Sequence, residues 1–257
     1  MKGFPSLILI IFLVVVVCPP ARLNAGASPS YQPWVRPGQW VEYKPLNYSC
    51  TGSDSYCSSL RNPPGSVSYV AVQVFNVSGT SVVLRITTVY TNGTVSGLGA
   101  SVDVSTGADN VTGVLIPPHA PANFLVLAGG LVAPGPIWIN DVGDRLTGSR
   151  SESVLGSSRN VNFVNFTSIG PDSSLSSSFA FDQESGFLLE TSSSSTISLP
   201  SGSIQVGFAT RMIDNNIWLD SALPDFINTG SDFTVSPGES MSFQTGHFRQ
   251  FLHYCHG

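Results

Sequence analysis

Charge is scarce in this 257-residue chain. Asp, Glu, Lys and Arg make up only 11% of it, against about 25% in an ordinary soluble domain. The formal net charge is −5 and no basic stripe runs along any segment, which excludes the electrostatic footprint of a nucleic-acid binder. Histidine and cysteine are also rare, at four residues each. No G-x-S-x-G elbow occurs, and the spacing of the acids singles out no pair for glycosidase-type catalysis. Asp141 and Asp144 read as acceptors of turn hydrogen bonds. No apolar run reaches the 18 residues of a membrane-spanning helix. What the chain does have is 42% hydrophobic and 10% aromatic residues, enough for a core and too many for a disordered tail.

The N-terminus carries the longest apolar run, LILIIFLVVVV at 7–17. Lys2 precedes it, Pro19-Pro20 ends it, and Ala25-Gly26-Ala27 has the small-residue form of a signal cleavage site. Residues 1–27 are therefore read as a secretory signal. Its alternative is an uncleaved N-terminal anchor, and acylation at Cys18 is disfavoured by the bulk of Val17. The expected location is extracellular or on the cell envelope. Two features agree with export. Cys50 and Cys57 enclose a short polar loop and are expected to form a disulfide in an oxidising compartment. Five N-x-[ST] sequons, at Asn47, Asn76, Asn92, Asn110 and Asn165, are candidate glycosylation sites.

Period-two alternation bounded by turn residues dominates the rest. Strands are expected at 39–43, 67–77, 81–91 and 94–104, the last two joined by Asn92-Gly93, whose residues accept the positive φ of a tight hairpin. A second meander is expected from about residue 152, with strands at 159–168, 176–181, 187–197 and 203–218. The pattern D-x-x-[ST]-G occurs at 103–107 and again at 182–186. Asp serves the turn amides and Gly the left-handed position, so two similar turns are the simplest reading. The run 192–195 is four serines, read as a solvated face or an edge.

Between the meanders lies a Pro-, Gly- and apolar-rich insertion, 117–144, in which 122–127 after Pro121 reads as a short helix. Successive hairpins with an apolar insertion favour a mainly β fold: one antiparallel meander sheet, strongly curved into a half-barrel, with the short helical or loop insertion plugging its concave side. A β-sandwich is the alternative. The domain is taken as residues 28–218, followed by a C-terminal extension, 219–257. In the insertion, Phe124, Leu127 and Trp138 are candidates to line an apolar ligand pocket, or else to fill the sheet. Trp40 and Tyr43 have opposite parity on one strand and should face opposite ways.

Several turn motifs fall in one order: PGQWVEY at 37–43, VSGT at 77–80, VDVSTG at 102–107, VGD at 142–144, SRNVN at 158–162 and FDQESGFLLE at 181–190. That order, over residues 34–218, resembles a group of uncharacterised secreted or membrane-anchored archaeal β-rich envelope proteins. Its strand-and-turn grammar is similar to that of half-barrel lipoprotein carriers. The resemblance implies a concave sheet that holds acyl chains. It implies no catalytic residue.

The C-terminal stretch holds His247, His253, Cys255 and His256, a nitrogen-and-sulfur set suited to zinc or copper. Residues 238–257 resemble the last strands of a cupredoxin, but no Met follows Cys255 and the segment is too short for a copper domain. A polar tail with a free thiol is the simpler reading. No cofactor is otherwise expected. If a metal binds, His253, Cys255 and His256 are its ligands. Three expectations follow. The first is an exported, non-enzymatic protein binding an apolar ligand, a lipid or an envelope partner on the curved sheet. The second is a structural surface or filament accessory that self-associates through edge strands. The third is an extracellular metal-binding protein using the tail.

Overall fold

The computed structural model describes residues 30–52, 57, 67–111, 115–116, 120–139, 141, 143–199 and 202–222. The 1–27 segment, His119, most of the 219–257 extension and its histidines and Cys255 lie outside them.

Nine long strands build one antiparallel sheet. They are β1 (Trp40–Thr51), β2 (Val67–Ser78), β3 (Ser81–Tyr90), β4 (Val95–Asp103), then β9 (Gly148–Val154), β10 (Ser157–Ile169), β11 (Ser173–Asp182), β12 (Leu188–Leu199) and β13 (Gly202–Asn215). Between β4 and β9 come four two-residue strands, β5 (Leu115–Ile116), β6 (Ala120–Pro121), β7 (Gly135–Pro136) and β8 (Arg145–Leu146), and one 3₁₀ turn (Ala122–Phe124). The sheet order is β4-β3-β2-β1-β13-β12-β11-β10-β9. The sheet does not close on itself, so the half-barrel expectation stands and the sandwich alternative falls.

Every neighbour in this order is also a sequence neighbour, except at the centre. There β1 pairs with β13, from Val41 opposite Asn215 to Thr51 opposite Gln205. The first and last strands therefore join the two meanders. As a consequence β4 and β9 are the opposite edges, and residues 104–147 must run from one edge to the other. Eight inter-strand spacings separate those edges, roughly 38 Å along the sheet. The segment takes this path across the inner face. Register shifts fall between Glu42/Tyr43 and Pro45/Asn47 on β1, Val67/Tyr69 and Val74/Asn76 on β2, and Ala180/Phe181 on β11. Such bulges increase local twist and bend a sheet towards a barrel.

The core lies between the inner face and the crossing segment. It collects Val41 and Tyr43 of β1, Val70, Val72 and Val74 of β2, Leu84 and Ile86 of β3, Val164 of β10, Phe179 and Phe181 of β11 and Met212 of β13. From the crossing segment it takes Phe124–Ala128, Leu131, Ile137, Trp138 and Leu146. Tyr43 and Trp40 are both fully buried, but only Tyr43 belongs to this cluster. Their opposite parity is therefore realised. The buried Tyr43 hydroxyl donates to the Leu188 carbonyl at 2.7 Å, and burial raises its pKa well above the ordinary value.

Two sequence expectations need correcting. The 122–127 segment is not a helix beyond Ala122–Phe124. Leu127 N–H donates to Gly186 O at 2.9 Å, Leu188 N–H donates to Leu125 O at 3.1 Å, and Val126 bridges Phe187. Pairing with the β11–β12 turn thus claims the backbone groups a helix would have used. For the serine run 192–195 the edge alternative falls, while the solvated-face one holds for its outward residues. The run lies in β12, between β11 and β13, with Ser192 and Ser194 exposed and Ser193 and Ser195 half-buried.

Candidate functional site: the inner face of the sheet

The inner face has two zones with different chemistry. In the first, the crossing segment is packed tightly on aromatic side chains. Phe124 meets Phe179 at 4.7 Å between ring centroids, Trp138 at 5.4 Å and Phe166 at 5.5 Å. The Trp138 and Phe166 rings meet Phe124 edge-on and the Phe179 ring is tilted against it, and such pairs are favourable beyond the area they bury. Phe124, Leu127 and Trp138 are all buried there, at 6%, 1% and 6% exposure. They fill the space under the crossing segment. The Trp138 ring lies so close to Gly107 that a Cβ there would sit 2.4 Å from it.

The two D-x-x-[ST]-G turns hold this segment, the first at its start and the second at its middle, where Leu127 and Gly130 N–H donate to Gly186 O and Gln183 O. In both, the Asp N–H bonds the carbonyl five residues on, Asp103 to Ala108 and Asp182 to Phe187, and the Gly N–H returns to the Asp carbonyl at 2.8 Å. Asp103 accepts the Ser105 amide at 2.8 Å and hydroxyl at 2.6 Å; Asp182 accepts those of Ser185 at 2.7 and 2.6 Å. Burial pushes the Asp103 pKa up, but the hydrogen bonds from Ser105, Thr80 and Thr106 together bring it below the ordinary value. Gly107 and Gly186 take φ of +73° and +79°. A Cβ on Gly186 would come within 2.1 Å of the Leu127 carbonyl oxygen. The shared turn is therefore also a shared docking device for the insertion.

Behind the second turn is a polar cleft of about 520 Å³, lined by Trp34, Gly130, Ser158, Arg159, Asn160, Asp182, Gln183 and Glu184. Its cation is already engaged. Arg159 makes a two-pronged pair with Asp182 at 2.8 Å and meets Glu184 at 2.8 Å, with its guanidinium 4.7 Å from the Trp218 ring. The hydrogen bond to Asp182, ahead of the opposing effect of burial, raises the Arg159 pKa. Leu131 O accepts from both Asn162 Nδ2 at 2.8 Å and Gln183 Nε2 at 3.0 Å. These contacts latch the crossing segment to β10 and to the turn.

The second zone lies further along the same face, towards the β12–β13 turn. Cross-strand partners share a face, and Met212 and Thr210 fix the inward parity of β13. Phe208 follows that parity, as do Val206 and Ile204, and opposite them stand Ser193, Ser195 and Ile197 of β12 and Tyr48 of β1. Leu175 and Ser177 of β11 face Ser195 and Ser193. Leu175, Ser193, Ser195, Ile197 and Phe208 are half-buried and Tyr48 is exposed. The Ser177 and Ser193 hydroxyls are 2.6 Å apart. At the boundary between the zones, Thr191 and Thr210 are directly opposed and fully buried, and their hydroxyls have no hydrogen-bond partner. The Cys50–Cys57 disulfide flanks this zone and packs on Ile204 and Val206.

Of the remaining sequence-derived residues, Asp141 accepts the Gly143 amide at 2.8 Å and the Asp144 amide at 3.2 Å, as a turn residue should. All five sequon asparagines are exposed. Among the described residues no group of three or more His, Cys, Asp or Glu gathers as metal ligands would. The zinc or copper expectation for His253, Cys255 and His256 falls outside the described residues. The half-buried hydroxyl and aromatic zone was not singled out from sequence. Its signal was the alternation of Leu175 and Phe179 with serines on β11 and of Ile204, Val206 and Phe208 with Gln205, Gly207 and Ala209 on β13, which reads as ordinary strand patterning until the neighbours are known.

No family model matches the chain, and no curated protein does. Among solved structures, the chain is similar to zebrafish ileal bile acid-binding protein complexed with cholic acid. That likeness has 12% identity, covers 69% of this chain and 98% of the other, and has a TM-score of 0.19. It is too loose to carry an argument.

Proposed function

We propose that this is an exported, non-enzymatic protein of the cell envelope or exterior that holds an apolar ligand or partner on the inner face of its curved sheet. The observation that carries this reading is the division of that face. The crossing segment seals one zone, whereas the other presents Tyr48, Leu175 and Phe208 beside serine hydroxyls with only partial cover. Apolar walls with a few polar groups are the usual make-up of a small-molecule site. The export part rests on the N-terminal signal pattern and on the disulfide, which suits an oxidising compartment.

Binding of a fluorescent acyl-chain probe to the full chain tests the reading. Wild type should bind it saturably, and Leu175→Asp and Phe208→Ser should each weaken binding at least tenfold without loss of the β-sheet circular dichroism spectrum. Equal binding by wild type and both variants would remove the inner face as the site.

A further inference from the structure

The convex side of the sheet carries a pattern of its own. Ten asparagines lie among the described residues, five in sequons and five outside them. Asn47, Asn76, Asn92, Asn110 and Asn165, the sequon set, are all exposed. Of the other five, only Asn160 is; Asn162 and Asn215 are buried, and Asn123 and Asn216 half-buried. Chance occurrence of N-x-[ST] in a Ser- and Thr-rich chain gives no reason for that separation.

Three of the sequon positions also share a side. Asn165 sits between Val164 and Phe166, which both face the core, so it points outward. Asn76 pairs with Val83, whose neighbours Val82 and Leu84 face the core. Asn47 pairs with Ala209, next to the inward Thr210. These three are therefore on the convex face. The third sequon residues, Ser49, Ser78 and Thr167, are exposed beside them.

The remaining two flank the β4 edge, whose far end is already paired, since Val102 bridges Asp109 and Asp103 N–H donates to Ala108 O, so that the stretch left open is 95–100. Asn92 is in the turn that leads into β4, and its side chain accepts the Thr94 amide at 3.0 Å. Asn110 lies alongside the far end of β4, accepting the Ser101 amide at 2.7 Å. An exposed strand edge invites pairing with another chain unless it is blunted. The β9 edge has Arg150 and Glu152, which pair with each other, and the Arg150 guanidinium lies 4.5 Å from the Phe163 ring. β4 has no charged residue before Asp103 at its end.

From this placement we infer that the five sequon asparagines are N-glycosylation sites, that the glycans on Asn47, Asn76 and Asn165 clothe the convex face, and that those on Asn92 and Asn110 block strand addition along the open stretch of β4. The inner face is left bare for the ligand. The inference rests on the export reading, since sequons are modified only on exported chains.

The test is peptide-level mass spectrometry of the full chain recovered from its native cells and medium. Glycan on at least three of the five asparagines, with Asn160 bare, is the expected result. An exported chain with two or fewer sites occupied overturns the glycan inference and leaves the export reading intact. A bare chain found only inside the cell overturns both. For the edge, the double variant Asn92→Gln with Asn110→Gln should self-associate with rising concentration in size-exclusion chromatography. The control Asn47→Gln with Asn76→Gln should elute as wild type does. A double variant that stays monomeric removes the shielding role.

Discussion

Two side-chain pairs show how few charges this chain uses and how differently it uses them. Asp182 is fully buried and accepts from Arg159 through both oxygens and from the Ser185 amide and hydroxyl. Removing Asp182 leaves Arg159 only the exposed Glu184 as a carboxylate partner and deprives the buried Ser185 amide and hydroxyl of theirs. Asp182→Ala should therefore cost about 3–5 kcal/mol in urea unfolding, and a loss under 1 kcal/mol would refute the latch. Glu42 is the opposite case. Burial, with the Asp214 carboxylate opposite it on β13, raises its pKa. The folded chain binds this proton more tightly than the unfolded one, so stability falls as pH rises from the unfolded pKa through the folded one. Glu42→Gln should raise the Tm at pH 7 by about 1–3 °C, the equivalent of relieving one like-charge cross-strand pair. Below about pH 3, where the carboxyl is protonated in both states, the gain should vanish. The Asp182 turn was legible in the sequence, because D-x-x-S-G states its own hydrogen bonds. The Arg159 partner was not, because it lies 23 residues away and only the β10–β11 register brings it near.

The turns and the crossing segment form the next level. Gly79 and Gly186 both have positive φ, but nothing lies within 4 Å of a Cβ on Gly79, whereas on Gly186 it would strike the Leu127 carbonyl. Gly79→Ala should cost only the backbone strain, about 1 kcal/mol. Gly186→Ala should cost at least about 3 kcal/mol, because the docked segment must also move. Equal costs by urea denaturation would show that the close approach is unimportant. Strands were readable because period-two patterning is local: the hairpin at Asn92-Gly93 and the one across 182–186 both occur where expected. The 122–127 helix failed because its backbone partners are in the β11–β12 turn, more than 55 residues on. The edge reading of the serine run failed for a related reason, since neither its alternation nor its composition reveals that β13 lies on its other side.

At the scale of the whole molecule, the pairing of β1 with β13 decides the rest. It puts the strands that start and finish the sheet at its centre and leaves β4 and β9 as edges. The 104–147 segment is thereby forced to cross from one to the other. No local pattern encodes that pairing, which joins residues some 160 positions apart, from Val41 to Asn215 and from Thr51 to Gln205. The apolar insertion was visible in the sequence as a cover for the sheet; the extent of what it covers was not. Phe124, Leu127 and Trp138 proved to be inside the sealed zone. The surface that remains for a ligand is made by Tyr48, Leu175 and Phe208, contributed by three strands of both meanders. Native mass spectrometry of the full chain, purified without detergent from its own cells, tests the ligand-holding reading most directly. An apolar molecule should be retained in a fixed ratio by wild type and lost from Phe208→Ser. A wild-type chain that carries nothing, and takes up no acyl-chain probe when one is offered, would contradict it.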